Sequence, residues 1–469
     1  MKKTKIICSI GPSSASVDVM EQMVLKGMNT ARCNFSHATE EEKINLVAAV
    51  KEVRKRTGHN VAILYDTKGP EFRNGMLEND QINLVEGKTI RVVKENVLGN
   101  EERFSVNHPE ALDSLSVGNT ILLENGLMSM EVISKENDGV TCRIVNGGVL
   151  GNKKSLSVPG VHINMPYISE QDRKDIIYAC EHEGDILAIS FVSCKEDVLA
   201  VREILKEHGK EEMPIICKIE NQLGVDNLEE ILEVSEGIMV ARGDLGTETC
   251  METLPLVQKD MIKKARAQGK IAVVATEMLE SMKKNSRPTR AEISDVANAV
   301  LDGADAVMLS GESTVGKYPI ETVEYMAKIC EVTERHASYQ GKFSYTQRVG
   351  ITQTIANCVV ESASMLHAKL IVASTVSGFT ARKISNLKPD CLIVAACPNE
   401  EVARRLALNW GVYPVLVPML ETTDEVIQAS IEAAKKIMPL NKGDIIVITG
   451  GLPNTGVRKS TNIMKIEEI

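Results

Sequence analysis

Eight short runs of apolar and β-branched residues alternate with longer stretches of helical period in the first two thirds of the chain, and no other feature limits the fold as tightly. The runs lie at 4–8, 28–33, 61–65, 186–191, 215–219, 237–241, 271–275 and 305–309. Most are separated by segments whose apolar residues recur at three and four positions, as at 17–26, 40–55, 172–181, 196–208, 228–234 and 256–268. Strand and helix in alternation imply parallel pairing, and eight such units close into a (β/α)8 barrel, the TIM-barrel architecture.

A barrel of this kind places its chemistry at the carboxyl ends of its strands. The residues there are rich in charge and hydroxyl groups: Ser9-Ile10-Gly11-Pro12, Arg32 to His37, Asp66-Thr67-Lys68-Gly69-Pro70, Ser190-Phe191, Lys218-Ile219-Glu220-Asn221, Arg242-Gly243-Asp244, Thr276-Glu277 and Ser310-Gly311-Glu312. Polar caps on loops are common. Their recurrence at the same end of nearly every strand is not.

The alternation breaks after the third run. Residues 71–164 contain short alternating segments at 88–93, 120–123, 127–133 and 140–145, divided by Gly and Asn, which predicts an all-β insertion placed to act as a lid. The barrel pattern resumes near Pro166. Beyond the polar stretch 338–348, strands are expected at 370–373, 391–396, 415–417 and 444–449 between helical segments, a doubly wound α/β arrangement. The expected domains are therefore 1–69 with 165–340 for the barrel, 70–164 for the lid and 345–469 for a C-terminal α/β domain.

Composition narrows the function. No apolar run is long enough for a signal-peptide core or a membrane span, so a cytoplasmic chain is expected. Eleven cysteines, with no pair at two-residue spacing, read as small core residues in a reducing compartment. A net charge of -10 and 3% aromatic content argue against nucleic-acid partners. Anionic substrates would need positive charge focused locally.

Several segments closely resemble motifs of the pyruvate kinase family: Thr30 to His37, Asp66 to Glu71, Lys218 to Asn221, Met239 to Gly246, Ala275 to Ser281, Arg287 to Glu292, and Met308 to Glu312. The similarity runs through the whole chain in one order, strongest in the barrel. It implies transfer of a phosphoryl group between phosphoenolpyruvate and ADP, giving pyruvate and ATP, with Mg²⁺ or Mn²⁺ and K⁺ as cofactors. It also implies a homotetramer.

Individual residues carry a physical reading beside that resemblance. Lys218 and Glu220 are two apart on a strand, so both face the same side of the barrel, one as a cation and one as an oxygen ligand. With Asp244 from the next strand, Glu220 forms a sparse carboxylate-only pair suited to a hard ion that takes its other ligands from water and substrate. The turn at Gly243-Asp244 also offers backbone N–H groups to a substrate carboxylate. Arg-Gly-Asp alone is most often just a surface turn, and a single Arg such as Arg32 is most often a surface ion pair.

By resemblance, Lys218 neutralises the migrating phosphoryl group and Arg32 holds it from the opposite wall, with Arg73 as a further catalytic cation. Thr276 belongs to a proton relay near the methylene carbon of the enolate. Asn34, Ser36, Asp66 and Thr67 form the K⁺ site, and Glu71 marks K⁺ dependence. Asn34, His37 and Arg73 face the nucleotide. Read without the family, the four K⁺-site residues are turn and capping residues. The lid carries Glu124-Asn125-Gly126 where the family commonly has two Asp before Gly.

In the C-terminal region, Ser374, Thr375, Ser377, Gly378 and Thr380 follow a predicted strand and open a helix, offering hydroxyl and N–H groups to a phosphate. The loop resembles the family's sugar-phosphate effector loop, with Arg382, Arg458 and Lys459 nearby in sequence or on the late loop. Its plain alternative is a Ser/Thr helix cap. Two other functions remain open on sequence: a Mg²⁺-dependent lyase acting on enolates, and a scaffolding relative without turnover. The lid, the cation-site residues and the third domain speak against the first, and the intact Arg32, Lys218, Glu220, Asp244 and Thr276 against the second.

Overall fold

A computed structural model describes all residues except 37, 125, 162, 164, 250, 338, 340–349 and 452–460. Eight parallel strands close into a barrel in chain order: Lys5–Ser9, Thr30–Asn34, Ala62–Asp66, Ile186–Ile189, Ile215–Ile219, Gly237–Ala241, Ile271–Ala275 and Ala306–Leu309. Their starts differ from the sequence expectation by two residues at most. The strands are buried on both faces, which is why they read as continuous apolar runs.

Helix boundaries follow local chemistry. Thr39 with Glu42, Ser169 with Asp172, and Thr289 with Glu292 form reciprocal capping boxes at the starts of helices Glu40–Thr57, Glu170–Glu181 and Arg290–Asp302. Gly58 and Gly303 end two of them in left-handed backbone.

Strand alternation explains how one barrel holds both a dry core and a charged mouth. Ile7, Leu64, Ala188 and Ile216 pack inside the barrel. Two residues further along the same strands, on the same inward face, come Ser9, Asp66, Ser190 and Lys218. The inward face thus changes from apolar to polar within one pleat.

Between the third and fourth barrel strands lies the lid, a six-stranded sheet and a two-stranded sheet around its own apolar core. The C-terminal sheet has five strands in the order Val412–Leu416, Leu392–Cys397, Leu370–Ser374, Ile445–Gly450 and Ile463–Glu468. Two features depart from the sequence reading. The edge strand begins at Val412 and contains Pro414, whose missing N–H is tolerated only at an edge. The last strand, Ile463–Glu468, is antiparallel and was not expected; its half-exposed, charged alternation carries little apolar signal.

The C-terminal domain closes the barrel's amino end. Ala407 and Leu408 join the barrel's interior apolar cluster. Around this plug, Arg404 pairs with buried Asp185 at 2.7 Å, and Lys388 pairs with Asp305 at 2.5 Å.

Candidate active site

At the carboxyl end of the barrel a chain of charge crosses four strands. Arg32, on the second strand, donates to Asp66 Oδ2 at 2.6 Å and to Ser9 Oγ at 2.6 Å. Asp66 Oδ1 lies 3.3 Å from Lys218 Nζ, which also sits 3.0 Å from Glu220 Oε1 and donates to Ser190 Oγ at 2.6 Å. The other Glu220 oxygen accepts the Phe191 N–H at 2.7 Å. Arg32, Asp66, Ser190 and Glu220 are all buried.

The charges divide unequally. Burial pushes the Asp66 carboxyl up, but Arg32 and Lys218 outweigh it and hold the group below the ordinary aspartate range. Burial disfavours the Lys218 ammonium, yet Asp66 and Glu220 together keep it charged and above the ordinary lysine value. Glu220 is pushed up to about 7 by burial, with Lys218 opposing and the Asp244 charge adding. Asp66 therefore carries the negative charge that balances the cations, and Glu220 keeps the stronger hold on a proton.

Asp244, in the short helix Arg242–Glu248, is exposed toward a cleft of about 600 Å³ between barrel and lid. Arg73 and Lys154 line the lid side of the same cleft. Among the described residues no side chain hydrogen-bonds to the Asp244 carboxylate, and no group of three His, Cys, Asp or Glu residues is gathered for a metal. Asp244 is exposed on the cleft, whereas Glu220 is buried with its oxygens on Lys218 and the Phe191 N–H; as an all-carboxylate pair they suit a hard divalent ion that draws its other ligands from substrate and water. They do not fit zinc.

The remaining sequence candidates fall into place unevenly. Asn34 and Asp66 are register partners on adjacent strands, and Asn34 Oδ1 accepts the Ser36 N–H at 3.1 Å. Thr67 is buried beside them and accepts the Ser190 N–H through Oγ1 at 3.3 Å. Both Asp66 side-chain oxygens face cations of the barrel mouth, so its carboxylate serves the Arg32–Lys218 chain directly. Glu71 is gripped by Arg73 through two hydrogen bonds of 2.9 and 2.6 Å and by Lys68 at 2.8 Å. Arg73 also donates to the Lys153 carbonyl at 2.7 Å. His37 lies outside the described residues, as do Arg458 and Lys459.

Thr276 and Glu277 both have left-handed backbone, with φ of 67° and 54°. For a β-branched residue this is an outlier that costs on the order of 1–3 kcal/mol unless its surroundings impose it. The Thr276 hydroxyl accepts the Gly243 N–H at 2.9 Å and donates to the Ala275 carbonyl at 2.6 Å. Gly243 therefore turns its N–H toward the Thr276 hydroxyl.

The C-terminal loop stands apart from this site. Gly378 caps the helix Phe379–Asn386 with φ of 77°, and Thr380 Oγ1 meets Thr461 Oγ1 at 2.8 Å. A side chain at Gly378 would meet Arg382, Leu406 and Val402, so the loop rests on the segment that plugs the barrel's amino end, opposite the charged mouth.

Three side chains that the sequence reading left without a role support the site: Ser190, Arg242 and Glu312. Glu312 accepts the Leu279 N–H at 3.0 Å and the Ser310 N–H at 2.9 Å, tying the seventh and eighth strand ends together. Their signal was present in the strand-end position they share with the charged residues.

Comparison with known proteins agrees with this geometry. Residues 1–323 match the family described as pyruvate kinase, barrel domain, and 353–467 match pyruvate kinase, alpha/beta domain. A pyruvate kinase of Geobacillus stearothermophilus is 46% identical over 473 residues, covering 100% of this chain and 80% of the relative. One from Clostridium acetobutylicum is 41% identical and covered in full on both sides. The crystal structure of a pyruvate kinase from Cryptosporidium parvum superposes with a TM-score of 0.93 at 37% identity, covering 100% of this chain and 96% of that one. With its barrel, its α/β domain and its full-length relatives all in agreement, this chain is a phosphotransferase that belongs to the pyruvate kinase family.

Proposed function

We propose that the charged mouth of the barrel is where the phosphoryl group passes between phosphoenolpyruvate and ADP, with Arg32 and Lys218 as the cations that hold it. The observation that carries this reading is the continuous chain Arg32–Asp66–Lys218–Glu220, in which two cations, one buried and one nearly so, are fixed at one end of the barrel by the Asp66 carboxylate between them. Fixed charges in a water-poor site stabilise a charge in transit without having to reorganise. Ser190 holds the Lys218 ammonium in line.

Glu220 and Asp244 would hold Mg²⁺ or Mn²⁺, which supplies neutralisation of charge on substrate oxygens when bound. Asn34, Ser36, Asp66 and Thr67 would hold K⁺, with Glu71 as the residue that leaves the site dependent on it. Arg73, Asn34 and His37 would face ADP beneath the lid. Thr276 orders the relay that returns a proton to the methylene carbon of the enolate; a hydroxyl is too weak an acid to do so alone. The Ser374, Thr375, Ser377, Gly378 and Thr380 loop would take a phosphorylated sugar as activator, and four chains would assemble.

The test is ADP-dependent formation of pyruvate from phosphoenolpyruvate with Mg²⁺, with and without K⁺. Turnover is expected to require both cations, and Lys218→Met is expected to lose about 10²- to 10³-fold, as when one aimed electrostatic group is removed. Wild-type turnover in that variant overturns the assignment. Rates that stay flat across fructose bisphosphate, hexose phosphates, ribose phosphate and AMP would remove the effector reading alone.

A further inference from the structure

Two consecutive residues in left-handed backbone need something to hold them, and at Thr276 a buried guanidinium grips the backbone on either side. Arg242 is 9% exposed and opens the short helix that directly follows the sixth strand. Its Nη2 donates to the Thr276 carbonyl at 2.5 Å and meets Met278 Sδ at 2.9 Å, and its Nε donates to the Ala275 carbonyl at 3.3 Å. Its Nη1 is anchored on the Asp295 carboxylate at 2.7 Å, on the helix Arg290–Asp302. The fork thus grips the carbonyls on both sides of the Thr276 backbone nitrogen and Cα. Those two contacts set the orientation of both peptide planes, and with them φ at Thr276.

The consequence falls on the hydroxyl. Thr276 Oγ1 already shares the Ala275 carbonyl with Arg242 and takes the N–H of Gly243, the residue that follows Arg242. The side chain is therefore fixed by Arg242 and its neighbour from one side, and the Thr276 rotamer depends on a residue that does not face the open cleft.

We propose that Arg242 is a positioning residue for the proton-transfer half of the reaction, acting by holding Thr276 in the strained backbone that aims its hydroxyl. This rests on the relay role given above to Thr276. In that step one C–H bond forms at the enolate methylene carbon as one O–H bond of the donor breaks, and the donor recovers its proton from solvent. The fork geometry is specific to arginine, because lysine has one nitrogen and cannot reach both carbonyls and the Asp295 anchor.

The experiment uses the full chain with Mg²⁺ and K⁺ and compares two rates: exchange of the pyruvate methyl protons with solvent deuterium, and overall pyruvate formation. Thr276→Ala sets the reference. Arg242→Gln is expected to slow methyl exchange about 10²-fold, the scale of a lost proton-transfer group, more than it slows phosphoryl transfer, with the KM for phosphoenolpyruvate little changed. Arg242→Lys is expected to fall between. Asp295→Asn, which only loosens the anchor, is expected to give a smaller loss of the same kind and covers the case in which Arg242→Gln fails to fold. The double variant Arg242→Gln with Thr276→Ala is expected to exchange no more slowly than Thr276→Ala. If exchange and turnover fall together in Arg242→Gln and Asp295→Asn, or if the double variant is slower than Thr276→Ala, Arg242 does not act through Thr276. If Thr276→Ala itself exchanges normally, the relay reading fails and takes this proposal with it.

Discussion

Glu220, the proposed ligand of the divalent cation, carries the cost of its own burial. Its carboxyl is raised from 4.5 to about 7, chiefly by burial. A group whose folded value lies above its unfolded value binds its proton more tightly when folded, so stability falls as pH rises through that window and stays reduced above it. Glu220→Gln removes the titration. In metal-free solution the variant is expected to gain on the parent in melting temperature between pH 5 and 8, with the difference vanishing at the acid end. Glu248, also raised to about 7 by burial, titrates in both proteins and cancels in the comparison. Added Mg²⁺ is expected to stabilise the parent and not the variant. A difference that does not change with pH would show that Glu220 stays ionised without metal.

At the scale of elements, the hinge where the chain leaves the barrel for the lid is tied directly to the charged mouth. Gly69 has φ of 72°, and a Cβ there would lie 2.8 Å from the Ser190 carbonyl. The Gly69 N–H is held by the capping residue Asp172 at 3.0 Å, and the Tyr167 hydroxyl holds the same Ser190 carbonyl at 3.0 Å. Outgoing and returning hinges thus meet on the residue that orients Lys218. Gly69→Ala adds left-handed strain of about 1–2 kcal/mol and displaces Ser190, so both melting temperature and turnover are expected to drop. Gly58→Ala is the control. It has φ of 69° with nothing within 4 Å of the new methyl, so it bears the backbone strain alone and is expected to keep its turnover. Equal turnover losses in the two variants would separate the hinge from the site.

Across the whole molecule, the barrel's amino end depends on the C-terminal domain for its closure. Lys388 is buried with Asp305 at 2.5 Å, the two side chains 1% and 5% exposed, and its ammonium lies over the Trp410 and Tyr339 rings. Burial lowers the Lys388 value to about 8 despite Asp305. Removing one partner of such a pair strands the other charge and costs about 3–5 kcal/mol, whereas replacing both with apolar or neutral groups is far milder. Lys388→Met is therefore expected to lower the melting temperature strongly, and Lys388→Met with Asp305→Asn to recover part of the loss. A double variant no better than the single would mean that the stranded Asp305 charge is not the source of the loss. The loop around Gly378 rests on Leu406, next to that same plug.

The barrel, the inserted lid and the third domain were legible in the residues because strand period, helix period and capping are local properties, written within a few positions of each other. The pairing of Lys218 with Glu220 was legible for the same reason: two residues apart on a strand means one face. What the residues could not show is which buried charges answer one another. That Asp66 balances both Arg32 and Lys218, and that Arg242 reaches across to Thr276, depend on register between strands separated in the chain. Such pairings are settled only when burial removes water as the competing partner, and that happens only in the closed barrel.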